Sequence, residues 1–108
     1  MNRGDIVVMA TKGAYTGKPR PALVVQGDLF NEWHAFVTLC PISSHLIDAP
    51  MFRVSVPAGP RTSLQATSQV MVDKIVSVPR EAIGKTIGRC TVGEMEMVDD
   101  ALRRWLSL

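Results

Sequence analysis

The chain has 108 residues, of which 46% are hydrophobic and 20% charged, and its formal net charge is +2. This is the size and composition of one ordinary folded domain, and the absence of long apolar runs and low-complexity stretches argues against a membrane-spanning or disordered class. A domain this small buries only a modest share of its surface, so an oligomer is expected.

The opening Met1-Asn2-Arg3-Gly4-Asp5 reaches charge before any apolar stretch of signal-peptide length, which makes the cytoplasm the expected location. Asp5–Ala10 is a short β-branched run that predicts a strand, and Thr11–Pro19 behind it, with Gly13, Gly17 and Pro19, predicts a loop. From Ala10 to Pro21 the chain carries Lys12, Lys18 and Arg20 and no acid, a pattern that suits a polyanion such as RNA and equally suits a solvated loop. The basic surplus is regional: residues 1–90 hold ten Lys and Arg against six Asp and Glu, whereas residues 91–108 hold two against four.

Ala22-Leu23-Val24-Val25 is continuously apolar rather than alternating, which predicts a central strand buried on both faces and ended by Gly27-Asp28. Ala35–Cys40 predicts a third strand closed by Pro41, which cannot donate to a ladder. The following Phe52–Val56 alternates, so Phe52, Val54 and Val56 are expected to face a core while Arg53 and Ser55 face outward. Gln69–Val78 predicts one long strand interrupted by Asp73 and Lys74, a charged pair that is costly in an apolar run unless paired or set in a cleft.

Single-turn helices are expected near Asp28 and Arg80, and one longer helix follows Thr91-Val92-Gly93-Glu94, which has the spacing of a capping box. Its pattern predicts a helix to about Trp105 with Met95, Val98, Leu102, Trp105 and Leu106 as the buried stripe, and i,i+4 pairs Asp99–Arg103 and Asp100–Arg104. Five or so strands with one terminal helix predict a small, mainly β, SH3-like barrel in a single domain over residues 1–108. Cys40 and Cys90 stand alone, without CxxC spacing, and are expected to be buried thiols; with only His34 and His45 besides, no recognisable metal-binding pattern emerges. Trp33 is expected to pack, with stacking on a nucleic-acid base as the alternative, and either histidine has the chemistry of a proton shuttle or of a hydrogen-bonded surface group.

Five blocks occur together in order: Arg3-Gly4-Asp5-Ile6, Arg20-Pro21-Ala22-Leu23-Val24-Val25, Cys40-Pro41-Ile42-Ser43-Ser44, Thr62-Ser63-Leu64 with Val70–Ile75, and Ile87-Gly88-Arg89. None is specific alone, but the ordered set, spanning nearly the whole chain, resembles the MazF/PemK family of toxins of type II toxin–antitoxin systems. The resemblance implies the CcdB/MazF-type β-barrel and a homodimer with an RNA-binding cleft, and an antitoxin whose tail occupies that cleft. It also implies sequence-specific, metal-independent and cofactor-free cleavage of single-stranded RNA: the 2′-hydroxyl attacks the adjacent phosphorus and leaves a 2′,3′-cyclic phosphate and a free 5′-hydroxyl.

Within that resemblance Arg20 matches the arginine that binds the scissile phosphate, a role for which a guanidinium is well shaped. Ser43 stands where a threonine hydroxyl is usual, and Asp73 matches an acidic residue that would act as a base or hold Arg20. Lys12, Tyr15, Thr16, Lys18, Ser44, His45, Arg53 and Lys74 are the candidate RNA contacts, Tyr15 by stacking on a base. Two positions depart from the family pattern: the first loop reads Gly13-Ala14-Tyr15-Thr16-Gly17, a stretch with only Tyr15 and Thr16 as polar side chains where some members have histidine or glutamate, and Met71 replaces an arginine of one branch. Two other readings stay open on the sequence: a DNA gyrase poison of the CcdB type, loosely suggested by Trp105-Leu106-Ser107-Leu108, and a catalytically degenerate homologue that binds its antitoxin.

Overall fold

The computed structural model describes residues 1–10 and 18–108, so the candidates Lys12, Tyr15 and Thr16 lie outside the described residues. The continuous apolar run falls at the middle of the sheet. β2 (Arg20–Val24) lies antiparallel between β1 (Asp5–Met9) and β3 (Phe36–Ser43). Both of its faces are covered: Leu23 packs with Ile6, Cys40, Val54 and Val70, and Ala22 and Val24 pack with Val7, Val37 and Leu39 on the other side. The sheet continues through β4 (Arg53–Val56), β5 (Ser68–Met71), β6 (Val76–Pro79) and β7 (Ile83–Arg89) in the order β4-β5-β3-β2-β1-β7, with β6 also on β3. Two one-turn elements sit where expected, α1 (Asp28–Asn31) and a 3-10 turn at Arg80–Ala82. The chain ends in α2 (Val92–Leu106).

Proline does not end β3. Val25 N–H donates to Thr38 O, which sets the alternation so that Cys40 turns its backbone groups toward β2 and Pro41 turns its own away. On that other edge β6 pairs only through Leu39 and β5 only from Ile42, so Pro41 sits in the gap between two partners, where a missing N–H leaves no acceptor unpaired.

The same gap breaks the expected long strand. β5 belongs to the far end of β3 and β6 to its beginning, and the chain steps between them through a 3-10 turn at Val72–Lys74. At that turn Asp73 accepts from Arg53 Nε at 2.8 Å and from Arg53 Nη2 at 3.1 Å. Arg53 is therefore not presented on the surface as its alternating strand predicts, because its side chain, 8% exposed, is folded onto this carboxylate.

β7, an additional strand, has the glycine-broken sequence Ile-Gly-Lys-Thr-Ile-Gly-Arg, which lacks a strand's hydrophobic signal. It pairs with β1 through two register shifts. A Cβ on Gly88 would lie 2.6 Å from the carbonyl oxygens of Arg61 and Thr62, so the glycine of the Ile87-Gly88-Arg89 block is there for close packing. Asp5 likewise has a structural use, accepting from Asn2 N–H at 2.8 Å and from Arg89 Nη1 at 2.6 Å.

The capping box of α2 forms in both directions, Glu94 N–H donating to Thr91 Oγ1 at 3.0 Å and Thr91 N–H to Glu94 Oε1 at 2.8 Å. Val98 and Ala101 are buried and Met95 and Leu102 partly so, but Trp105 and Leu106 remain 46% and 47% exposed. The last turn is less covered than the rest of the helix, and the Trp105 ring lies against Phe52 at 5.6 Å between centroids. Neither expected i,i+4 pair is made. Asp99 takes Arg3 at 2.6 Å, Asp100 takes Arg103 at 3.0 Å one residue short of the expected spacing, and Arg104 donates to Met51 O. Trp33 is 67% exposed rather than packed in a core, its ring set edge-on to Phe30 and its Nε1 donating to Leu29 O at 2.9 Å. Cys40 and Cys90 are free and buried, and burial pushes both thiols up to about 12.

Candidate nucleic-acid interface

Antiparallel register brings the start of β2 and the end of β3 to the same edge of the molecule. Arg20 pairs with Met9, two residues from the Ala22–Pro41 pair, and Ser43 pairs with Gln69 of β5. Around these strand ends lies a cleft of about 710 Å³ lined by Arg20, Ser43, Ser44, His45 and Lys74, with Pro21, Pro41, Ile42, Leu64 and Met71 as its apolar part. Gln65, Ala66 and Ser68 close it on the β5 side.

The cleft is electropositive. Arg20 and Lys74 are exposed, no carboxylate lines the cleft among the described residues, and neither cation joins any of the ion pairs formed there. Asp73, the carboxylate that the resemblance offers to Arg20, is engaged with Arg53, and Asp5 is engaged with Arg89. Two unneutralised cations beside hydroxyl groups form a receptor for a phosphodiester, since charge-assisted hydrogen bonds to phosphate gain most where no fixed anion competes.

The loop after β3 is held in two places. His45 N–H donates to Ser43 Oγ at 3.0 Å, a local side-chain turn. Beyond it, Ile47 is gripped on both backbone groups by the amide of Gln69: Ile47 N–H donates to Oε1 at 3.1 Å and Nε2 donates to Ile47 O at 2.8 Å. Gln69 is only 9% exposed. Sequence reasoning passes over this residue, although an amide inside an apolar run has to find partners if it is buried, and that requirement is the available signal.

Among the sequence candidates, the structure thus gathers Arg20, Ser43, Ser44, His45 and Lys74 around one cleft. Lys18 is exposed just ahead of β2 but outside the lining, and Arg53 and Asp73 form their own pair behind the 3-10 turn, also outside it. His34 is remote from the cleft, its Nδ1 accepting from Phe36 N–H at 3.0 Å. Among the described residues no group of three or more His, Cys, Asp or Glu is arranged to hold a metal ion.

Known proteins are similar throughout the chain. Residues 2–106 match the family described as PemK-like, MazF-like toxin of type II toxin–antitoxin systems. A relative from Mycolicibacterium smegmatis named as a probable endoribonuclease MazF is 41% identical over 108 residues, covering 100% of this chain and 98% of its own length. In fold, the Mycobacterium tuberculosis toxin MazF-mt6 superposes with a TM-score of 0.82 at 21% identity, covering 96% of this chain and 97% of the toxin. A mycobacterial endoribonuclease solved in complex with its cognate antitoxin superposes with a TM-score of 0.79 at 21% identity, covering 100% of this chain and 96% of that one.

Proposed function

The chain belongs to the PemK-like, MazF-like toxin family of type II toxin–antitoxin systems, and from that membership and the chemistry of its cleft we propose that it is a sequence-specific endoribonuclease acting on single-stranded RNA. The observation that carries the reading is the unneutralised pair Arg20 and Lys74 beside the Ser43 hydroxyl in a cleft with no lining carboxylate among the described residues. In this reading Arg20 binds the scissile phosphate and, as the 2′-oxygen adds to phosphorus, stabilises the extra negative charge that builds there. Ser43 Oγ, which accepts from His45 N–H, keeps its own proton free to donate to a non-bridging oxygen. Ser44 and Lys74 bind flanking nucleotides, His45 lines the same cleft, and Lys18, together with Lys12, Tyr15 and Thr16 of the β1–β2 connection, extends that contact.

Asp73 enters this reading as a positioning residue rather than as the base: its carboxylate holds Arg53 and with it the turn that carries Lys74 into the cleft. The reaction moves charge onto phosphate and away again with no redox change, so cations and hydroxyls supply the stabilisation it requires. The protein acts as a homodimer in the cytoplasm and is neutralised by an antitoxin whose tail occupies the RNA cleft, a partnership supported by the similar protein solved with its antitoxin. A gyrase-poison reading gains no support, because the family match and the sequence relatives are to MazF-like toxins.

The test is to incubate the purified protein with a long single-stranded RNA in EDTA, beside Arg20→Ala, and to map the new ends. Defined 5′-hydroxyl ends are expected from the wild type, with Arg20→Ala slower by about 10²–10³-fold while its melting curve is unchanged. Intact RNA from the wild type overturns the reading, and full activity in Arg20→Ala overturns the role of the arginine.

A further inference from the structure

A metal-free transesterification of RNA expels a 5′-alkoxide, a poor leaving group unless it receives a proton as the P–O5′ bond breaks. Few groups here can deliver one. The β1–β2 segment from Thr11 to Gly17 contains no histidine, aspartate or glutamate, and Met71 brings no charge. Asp73 is locked on Arg53 and outside the cleft, and His34 is distant. The titratable side chains that line the cleft among the described residues are one guanidinium, one ammonium and one imidazole, those of Arg20, Lys74 and His45, and of these three kinds of group imidazole is the one suited to general-acid work.

The geometry points to His45 as the general acid of this cleft, held there by Gln69 acting as a positioning residue; this assignment rests on the ribonuclease reading above. His45 lies between the two fixed points of its loop, its own N–H on Ser43 Oγ at 3.0 Å and the backbone of Ile47 on the buried Gln69 amide at 3.1 and 2.8 Å. A free loop of this length has many conformers, and two anchors bracketing the imidazole restrict where its ring can reach, which is the physical content of preorganisation. The step balances. The O2′–P bond forms and the P–O5′ bond breaks; the 2′-hydroxyl proton passes to water; the imidazolium proton passes to O5′; and the imidazole regains a proton from water.

The experiment compares two RNA oligonucleotides containing the sequence cut by the wild type, one natural and one with sulfur in place of the bridging O5′ at the cut. A thiolate leaves without protonation, so loss of the general acid is felt only on the oxygen substrate. His45→Gln is expected to cut the natural RNA about 10²-fold or more slowly than wild type, and the sulfur-linked RNA at a rate within about threefold of it. Gln69→Glu, which turns a donor at Ile47 O into a repelling oxygen, is expected to show the same selective loss to a smaller degree. Added to His45→Gln it should cost nothing further, the non-additivity of residues acting through one group. Equal loss on both substrates in His45→Gln overturns the acid assignment, and an additive or substrate-independent loss in Gln69→Glu overturns the positioning role. If the wild type leaves both RNAs intact, the ribonuclease reading fails and this inference with it; if it cuts both and His45→Gln cuts both equally well, only the inference fails.

Discussion

A guanidinium and a carboxylate that meet at 2.8 and 3.1 Å, with side chains 8% and 18% exposed, depend on each other for solvation. Removing one partner leaves the other charged, largely out of water and unpaired, which costs much more than removing both. Asp73→Asn is therefore expected to lose on the order of 3 kcal/mol of unfolding free energy in urea, and the double variant Arg53→Met with Asp73→Asn to recover a large part of it. An Asp73→Asn protein as stable as wild type would show that the pair is not what holds the turn. The same residues show where reading a linear pattern stops. Alternation in Phe52–Val56 correctly sends Val54 and Val56 inward and Ser55 outward, yet Arg53, on the outward face, is covered because a carboxylate twenty residues later meets it there.

At the scale of one element, the start of α2 is defined by local chemistry, and its capping box is legible in four consecutive letters because all of its partners lie within one turn. Glu94 bears two loads there, accepting from the Thr91 N–H and from Arg61 at 2.8 and 3.0 Å. Partial burial works against its charged form, but the Arg61 guanidinium and the Thr91 N–H outweigh it and hold the carboxyl below its ordinary value of 4.5. Because the folded protein binds this proton less readily than the unfolded chain, the associated stability is fully present above about pH 4.5 and is lost as the pH falls through the depressed value. Thermal melts of wild type and Glu94→Gln should therefore differ by a constant gap near neutral pH that narrows as the pH falls below the ordinary carboxyl value of 4.5 and through the depressed one. A gap independent of pH would mean that the charge of Glu94 contributes nothing. The far end of α2 is different: helical period alone cannot say how far an apolar stripe is covered, and Trp105 and Leu106 continue the stripe but stay exposed.

For the whole molecule, Cys40 and Cys90 report on the main core, which both help to fill and where burial pushes both thiols up to about 12. An alkylating agent at mildly alkaline pH is expected to leave both unmodified in the folded protein and to modify both in denaturing urea, at rates that follow opening of the core. Rapid labelling of either thiol without loss of fold would contradict its burial. By itself the sequence determined the features whose cause is local: the strands β1 and β2 from their apolar runs, the central place of Ala22–Val25, the one-turn helices and the capping box. Tertiary structure alone decided what depends on distant partners. It split Gln69–Val78 into two strands because β3 takes a different neighbour at each end, and it let Pro41 stay inside a strand for the same reason. It also hid β7, whose glycine-rich sequence suits a close approach to the Arg61–Thr62 backbone rather than a hydrophobic face. Arg20, Ser43, His45 and Lys74 come from three separate stretches of chain, and only antiparallel pairing brings their strand ends to one edge, since a register is a relation between segments that no single segment carries.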